Sequence, residues 1–115
     1  MKPIMIVSPK FCKLMSVFIN VYAITIYPFI ISKEKLSPIV YNHECIHLRQ
    51  QRELWLVGFY FLYVWYWFKG KVKGVKSRDA YMAIPFEVEA YTHEFDFKYL
   101  QDRKPHAWKN YRRDE

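Results

Sequence analysis

Residues 41–54, YNHECIHLRQQREL, hold the densest set of groups able to do chemistry. His43, Glu44 and His47 stand in an H-E-x-x-H frame. On a helix, positions i and i+4 project from one face a turn apart, so both imidazoles can offer a ring nitrogen to one metal ion. Glu44 falls about 100° round the same helix, beside such an ion and not on it. There a carboxylate can hold a water molecule and take its proton, which is what metal-assisted hydrolysis needs. Two imidazoles do not hold a catalytic metal, so a third ligand must come from elsewhere.

Six residues are candidates: Glu53, Glu87, Glu89, His93, Glu94 and Asp96. Glu53 belongs to the His43 helix but points off the ligand face. The segment IPFEVEAYTHEFD at 84–96 is richer. Within it Glu87 shares a helical face with Tyr91 at i+4 and Glu94 at i+7, which ranks it first, ahead of Glu89 and then His93. Glu89 is expected to point away, to solvent or to a basic partner. An extended linker over 69–84 spans about 50 Å, enough to run back along the first helix and deliver Glu87 to the histidines.

These residues need elements to carry them. PIMIV, at 3–7, reads as one brief strand. From Phe11 to Ile31 the chain is almost wholly apolar, and NVYAITIYPFII favours a buried strand or pair of strands, with Pro28 ending or bulging one. SKEKLSP is a loop; Pro38 blocks backward extension of the next helix, and Asn42 suits its N-cap. Residues 43–68 read as one long helix, with Gly58 the place for a kink. KGKVKGVKSRDAYMAI is the main linker. Pro85 suits the first turn of a helix that continues to Pro105, and HAWKNYRR forms a short terminal one. The fold class is α+β in a single domain over 1–115, with a small strand-rich N-terminal part, a long His43-bearing helix and a second helix supplying Glu87.

With 115 residues, 52% of them apolar and 20% aromatic, the chain can bury roughly two-thirds of its unfolded surface without staples. Cys12 and Cys45 cannot form a disulfide framework and no cleavable leader is evident, so reduced thiols in a cytoplasmic setting are expected. The formal charge of +7 gathers in 69–78 and in the tail from Lys98, with no recognised nucleic-acid module beside it. It reads as solvated surface, and no nucleic-acid partner is expected. LWLVGFYFLYVWYWF at 54–68 makes about 22 Å of helix against a hydrocarbon core of about 30 Å. Were it to span, any ligand in the 80s would lie on the far side from His43. A buried core helix is therefore the favoured reading, with interfacial membrane association through exposed Trp and Tyr the minority one. Cys45 points off the ligand face as a small core residue. Gln50 and Gln51 lie on or beside the metal face, either supporting the ligands or forming plain helix surface.

The pairing of HECIH with a downstream FEVEAY resembles the zincins that take a glutamate as third ligand, the gluzincin-like metallopeptidases. In their membrane-associated prenyl-protein-processing members the second motif runs E-x-x-A-D. Aligned here, that places Glu87 on the metal and Tyr91 where the aspartate would be. The aspartate helps orient a ligating histidine, so its task passes to Gln50, Gln51, Glu94 or a backbone carbonyl. The fuller string also resembles small bacterial proteins with an H-E-x-x-H-x-x-Q-Q signature, over about Ala23 to Tyr111. The resemblance implies Zn2+ on His43, His47 and Glu87, a peptide or protein substrate, and Glu44 as the base. Tyr91, His93 or a tyrosine within 22–27 would donate to the oxyanion, and Tyr91 is counted among the catalytic residues. The strand AITIYP could receive an extended substrate by strand addition. The rival expectation is a catalytically inactive metal-binding or membrane-surface binding protein.

Overall fold

β-branched residues open the chain and make its first strand, β1 (Ile4–Val7). In the computed structural model, which describes residues 3–15 and 23–112, β1 is followed by a seven-residue helix, α1 (Pro9–Met15). The sequence reading did not anticipate α1; Ser8 Oγ accepts from the Phe11 N–H at its start, an N-cap signal hidden beside the apolar run. Residues 16–22 of that run lie outside the described residues. The strand pair expected around Pro28 is present as β2 (Ala23–Ile26) and β3 (Phe29–Ser32), an antiparallel hairpin turning at a cis Tyr27–Pro28 bond. β1 joins β3 in parallel, giving the order β1-β3-β2. β1 and β2 are thus the two edges, and β2 packs against the next helix.

That helix, α2 (Pro38–Val72), begins a turn earlier than Asn42. Ser37 is the N-cap, its Oγ accepting from the Val40 N–H, and Pro38 occupies the first turn, where its missing donor costs nothing. Asn42 instead faces inward and donates to the carbonyls of His93, Glu94 and Asp96. Thirty-five residues of straight helix would run about 52 Å, yet the molecule's longest extent is 36 Å. α2 therefore breaks, and it breaks at Trp55 (φ 55°, ψ 129°), three residues before the expected Gly58.

The expected linker is partly helical. α2 continues through Val72, and α3 (Ser77–Met82) follows a turn at Gly74, whose φ is +83°. Gly70 is required by contact: a Cβ there would meet Ala80 Cβ at 2.9 Å, where α2 and α3 cross. α4 (Pro85–His93) starts at Pro85 as expected but stops far short of Pro105. Asn42 claims its terminal carbonyls and Asp96 Oδ1 accepts from the Lys98 N–H, so the chain turns before the short α5 (Tyr99–Asp102). A 3-10 turn over Ala107–Tyr111 stands where the terminal helix was expected.

The central cluster is Phe59, Ile84, Phe86 and Trp108, with Leu54, Tyr60, Leu62, Tyr63, Tyr66, Trp67 and Tyr81 packed around it. The aromatic run 54–68 is core on this face alone. Val57, Phe61, Val64, Trp65 and Phe68 are exposed on the other, which corrects the reading of the whole run as a buried helix. No described helix is long and apolar enough to cross a membrane.

Candidate metal centre

The first half of α2 and the start of α4 bring His43, His47 and Glu87 together. Nε2 of His43 and Nε2 of His47 are 3.1 Å apart, and Glu87 Oε1 lies 3.2 Å from the first and 3.1 Å from the second. Tetrahedral ligands at 2.0–2.1 Å from a zinc are about 3.3 Å from each other, so this triangle has close to the size a metal requires.

The hydrogen bonds behind the triangle decide which lone pairs face it. His43 Nδ1 is 2.8 Å from Glu94 Oε1, and His47 Nδ1 is 2.8 Å from Gln50 Oε1. Each oxygen is an acceptor here, which assigns the ring proton to Nδ1 and leaves both Nε2 atoms as lone-pair donors. Gln50 is held in that sense by its own Nε2, which donates to the Phe86 carbonyl and to Glu89 Oε1. The second oxygen of Glu87 accepts from Tyr63 Oη at 2.6 Å. Three electron-rich atoms thus converge without a donor among their own side chains, an arrangement that calls for a proton or a cation at the centre. The donor set, two imidazoles and one carboxylate, fits a divalent transition metal.

Charge follows the same geometry. Burial would depress His47, but the Glu87 carboxylate against it, aided by Glu44 and Gln50, raises it to about 9. Burial would raise Glu87, and the two histidines reverse that and hold it well below the usual carboxylate range. Glu44 is buried beside them and pushed upward by that burial, with His47 and His43 pulling the other way. Its Oε1 accepts from Thr25 Oγ1 of β2 at 2.5 Å. Glu44, Gln51 and β2 lie on one side of α2, where Gln51 Nε2 and Tyr60 Oη both donate to the Thr25 carbonyl and Gln51 Oε1 accepts from the Tyr27 N–H. These bonds fix β2 against the helix. They also occupy the Thr25 carbonyl of β2 and the Tyr27 N–H just past its end, so strand addition would have to displace Gln51 and Tyr60 there.

Of the other expected residues, Tyr91 sets its ring edge-on to His43, centroids 4.5 Å apart, with its hydroxyl 3.3 Å from Tyr81 Oη. It is 40% exposed and touches a ligand ring, not the triangle itself. Glu89 does not reach the triangle. It is fully buried on Arg103, Tyr99 and Gln50, so the basic partner is inside the protein. Glu53 closes the other side of the same arginine at 2.7 Å. His93 stacks on Tyr99 at 3.7 Å and meets Tyr111 Oη, and the Asp96 carbonyl accepts from Asn42. Gln50 bonds to His47 on the metal-facing side, whereas Gln51 serves the strand. Cys45 is half-buried on the far side of α2, beside a groove lined by Tyr27, Leu48, Arg49 and Arg52.

Sequence reasoning missed Thr25, Tyr60, Tyr63, Tyr81 and Arg103. The first three reach the site across long sequence separations, Tyr81 meets Tyr91 ten residues on, and only the spacing of Tyr60 and Tyr63 on one helical face hinted at a shared task. No protein-family model matches this chain, and no curated protein or solved structure does either. The likeness to gluzincins therefore rests on its residues alone, and what stands from the geometry is a His43–His47–Glu87 group able to hold a metal ion.

Proposed function

We propose that the chain is a zinc-dependent metallopeptidase that hydrolyses peptide bonds in a peptide or protein substrate. The observation that supports this most is the placing of Glu44, a buried carboxylate beside the triangle whose affinity for protons is raised by burial and whose orientation is held by Thr25. A buried carboxylate with raised proton affinity, held beside a group able to take a metal, has the position and basicity that a general base needs.

When bound, zinc supplies Lewis acidity and lowers the pKa of a coordinated water to about 7. The chain's own residues supply the rest. Glu44 Oε1 is tied to Thr25, leaving Oε2 to accept a proton as water adds to the scissile carbonyl carbon. As the carbon–nitrogen bond breaks, the same oxygen returns that proton to the leaving amine. Glu94 and Gln50 keep the imidazoles oriented throughout, and Tyr63 keeps Glu87 in place. Tyr91, the exposed polar ring against His43, is the donor proposed for the oxyanion.

Glu44→Gln removes the base while keeping shape and size. Cleavage of a mixture-based peptide library should fall at least a hundredfold with zinc content unchanged. One observation favours the rival, a zincin-like protein that holds metal without turnover: the three ligands are only 4–6% exposed. Parent protein that carries zinc yet cleaves no library member would establish that rival.

A further inference from the structure

The second half of α2 carries an apolar stripe that no described residue covers. Val57, Phe61, Val64, Trp65, Phe68 and Val72 are all exposed, Val57 by 81% and Phe61 by 72%. At 100° per residue these six fall within an arc of about 100°, opposite the face that packs on Phe86 and Trp108. Solvated helix faces are normally polar, and a contiguous aromatic stripe marks a contact surface.

Charge identifies what it contacts. From Leu54 to Arg78 there is no acidic residue, while Lys69, Lys71, Lys73, Lys76 and Arg78 follow directly on the stripe. Lys69 and Lys71 fall on either side of the arc, each lying over an aromatic ring of the same helix, Tyr66 and Trp67. Large aromatic and aliphatic side chains along one line, lysines at its margins and end, and a helix too short and too polar to span are the features of a segment lying in the plane of a membrane interface. A second copy packed in parallel on this stripe would set its basic run against an identical one, and packed antiparallel it would offer those lysines no acidic residue between Leu54 and Arg78, which favours an anionic lipid partner over self-association.

We propose that the outer face of 57–72 is a docking surface for an anionic lipid bilayer, with Phe61, Trp65 and Phe68 entering the acyl–headgroup boundary and the basic run lying among the headgroups. The inference stands apart from the peptidase reading, because it uses the face of α2 turned away from His47 and Glu87.

Vesicles of phosphatidylcholine, with and without phosphatidylserine, test it by co-sedimentation and tryptophan emission. The full chain should partition to the anionic vesicles and be released by salt, with a blue shift that Trp65→Phe largely removes. Lys71→Gln/Lys73→Gln/Lys76→Gln should weaken partitioning by about a hundredfold, near fivefold for each charge. Phe61→Ser/Phe68→Ser should abolish it while leaving the circular dichroism spectrum and zinc content as in the parent, since both rings are already exposed. Parent protein that stays in the supernatant with both lipids would overturn the proposal, as would a folded Phe61→Ser/Phe68→Ser variant that binds like the parent. A chain that is dimeric by sedimentation velocity, becomes monomeric in that variant and ignores vesicles would assign the stripe to a second copy instead.

Discussion

Glu94 is the residue whose position says most about the centre. It lies seven residues after Glu87, so one helical face delivers a carboxylate to each nitrogen of His43, Glu87 to Nε2 and Glu94 to Nδ1. Loss of such a partner to a ligating histidine weakens metal binding by roughly 10–100-fold. Glu94→Ala, which removes the acceptor altogether, should show that loss in competition with a chromophoric chelator, and an unchanged affinity would remove Glu94 from the site. The His47–Glu87 pair sets a pH dependence for the chelated protein. The folded value of about 9 for His47 lies above its ordinary 6.5, so its contribution to stability is whole below pH 6.5 and lost as pH rises through 9. Glu87 is depressed from 4.5, so its contribution is present above pH 4.5 and lost at greater acidity. The urea midpoint of chelated protein should therefore fall between about pH 6 and pH 9, and zinc, taking the proton's place, should flatten that fall. A midpoint that climbs over this range contradicts the pairing. The triangle itself was legible in the sequence because i, i+4 spacing on a helix fixes geometry locally. Tyr63 and Thr25 were not, because their contacts depend on how a kinked helix and a hairpin fold back.

The kink is what makes the elements work. Were α2 straight, Phe59, Tyr60 and Tyr63 would be carried away from His47, Thr25 and Glu87, which they now meet. Its site, Trp55, has a positive φ that L side chains rarely adopt, and the residue is 84% exposed, so little packing compensates. Trp55→Gly should accordingly leave stability unchanged or raise it by about 1 kcal/mol, read from urea midpoints. A loss of more than about 2 kcal/mol would mean the indole itself holds the bend. Composition pointed to Gly58, whose added Cβ would meet only an ordinary 3.8 Å contact with Leu54. The break was set by tertiary demand on the aromatic half, a demand no local propensity records. The strand pair around Pro28 was visible because its β-branched run is local. The true start of α2 was missed because Asn42 is as good an N-cap by type as Ser37, and only the fold shows which one faces inward.

Across the whole molecule, a buried ionic cluster ties the site to the rest of the chain. Arg103 donates to Glu89 and Glu53, Glu89 also accepts from Tyr99 and Gln50, and Gln50 orients His47. The α4–α5 connection, the 38–54 half of α2 and the ligand set thus share one network. The side chains of Arg103 and Glu89 are both fully out of solvent. Arg103→Met should cost about 3–5 kcal/mol in chemical unfolding, because it strands a buried carboxylate; a cost under about 1 kcal/mol would show the cluster to be dispensable. Sequence reading left Glu89 to solvent or to a basic partner; burial excludes the first, and Arg103, fourteen residues on and past a turn, was not named. The α+β class and the meeting of two helices at the histidines were both readable, since the third ligand's helix had to return to the first. The claim on which the centre stands is that His43, His47 and Glu87 hold one metal ion, and zinc X-ray absorption on the loaded protein tests it most directly. The expected result is one tightly retained zinc with two imidazole nitrogens and the remaining ligands oxygen, at about 2.0–2.1 Å. Zinc that washes off entirely, or a shell containing sulfur from Cys45, would contradict it.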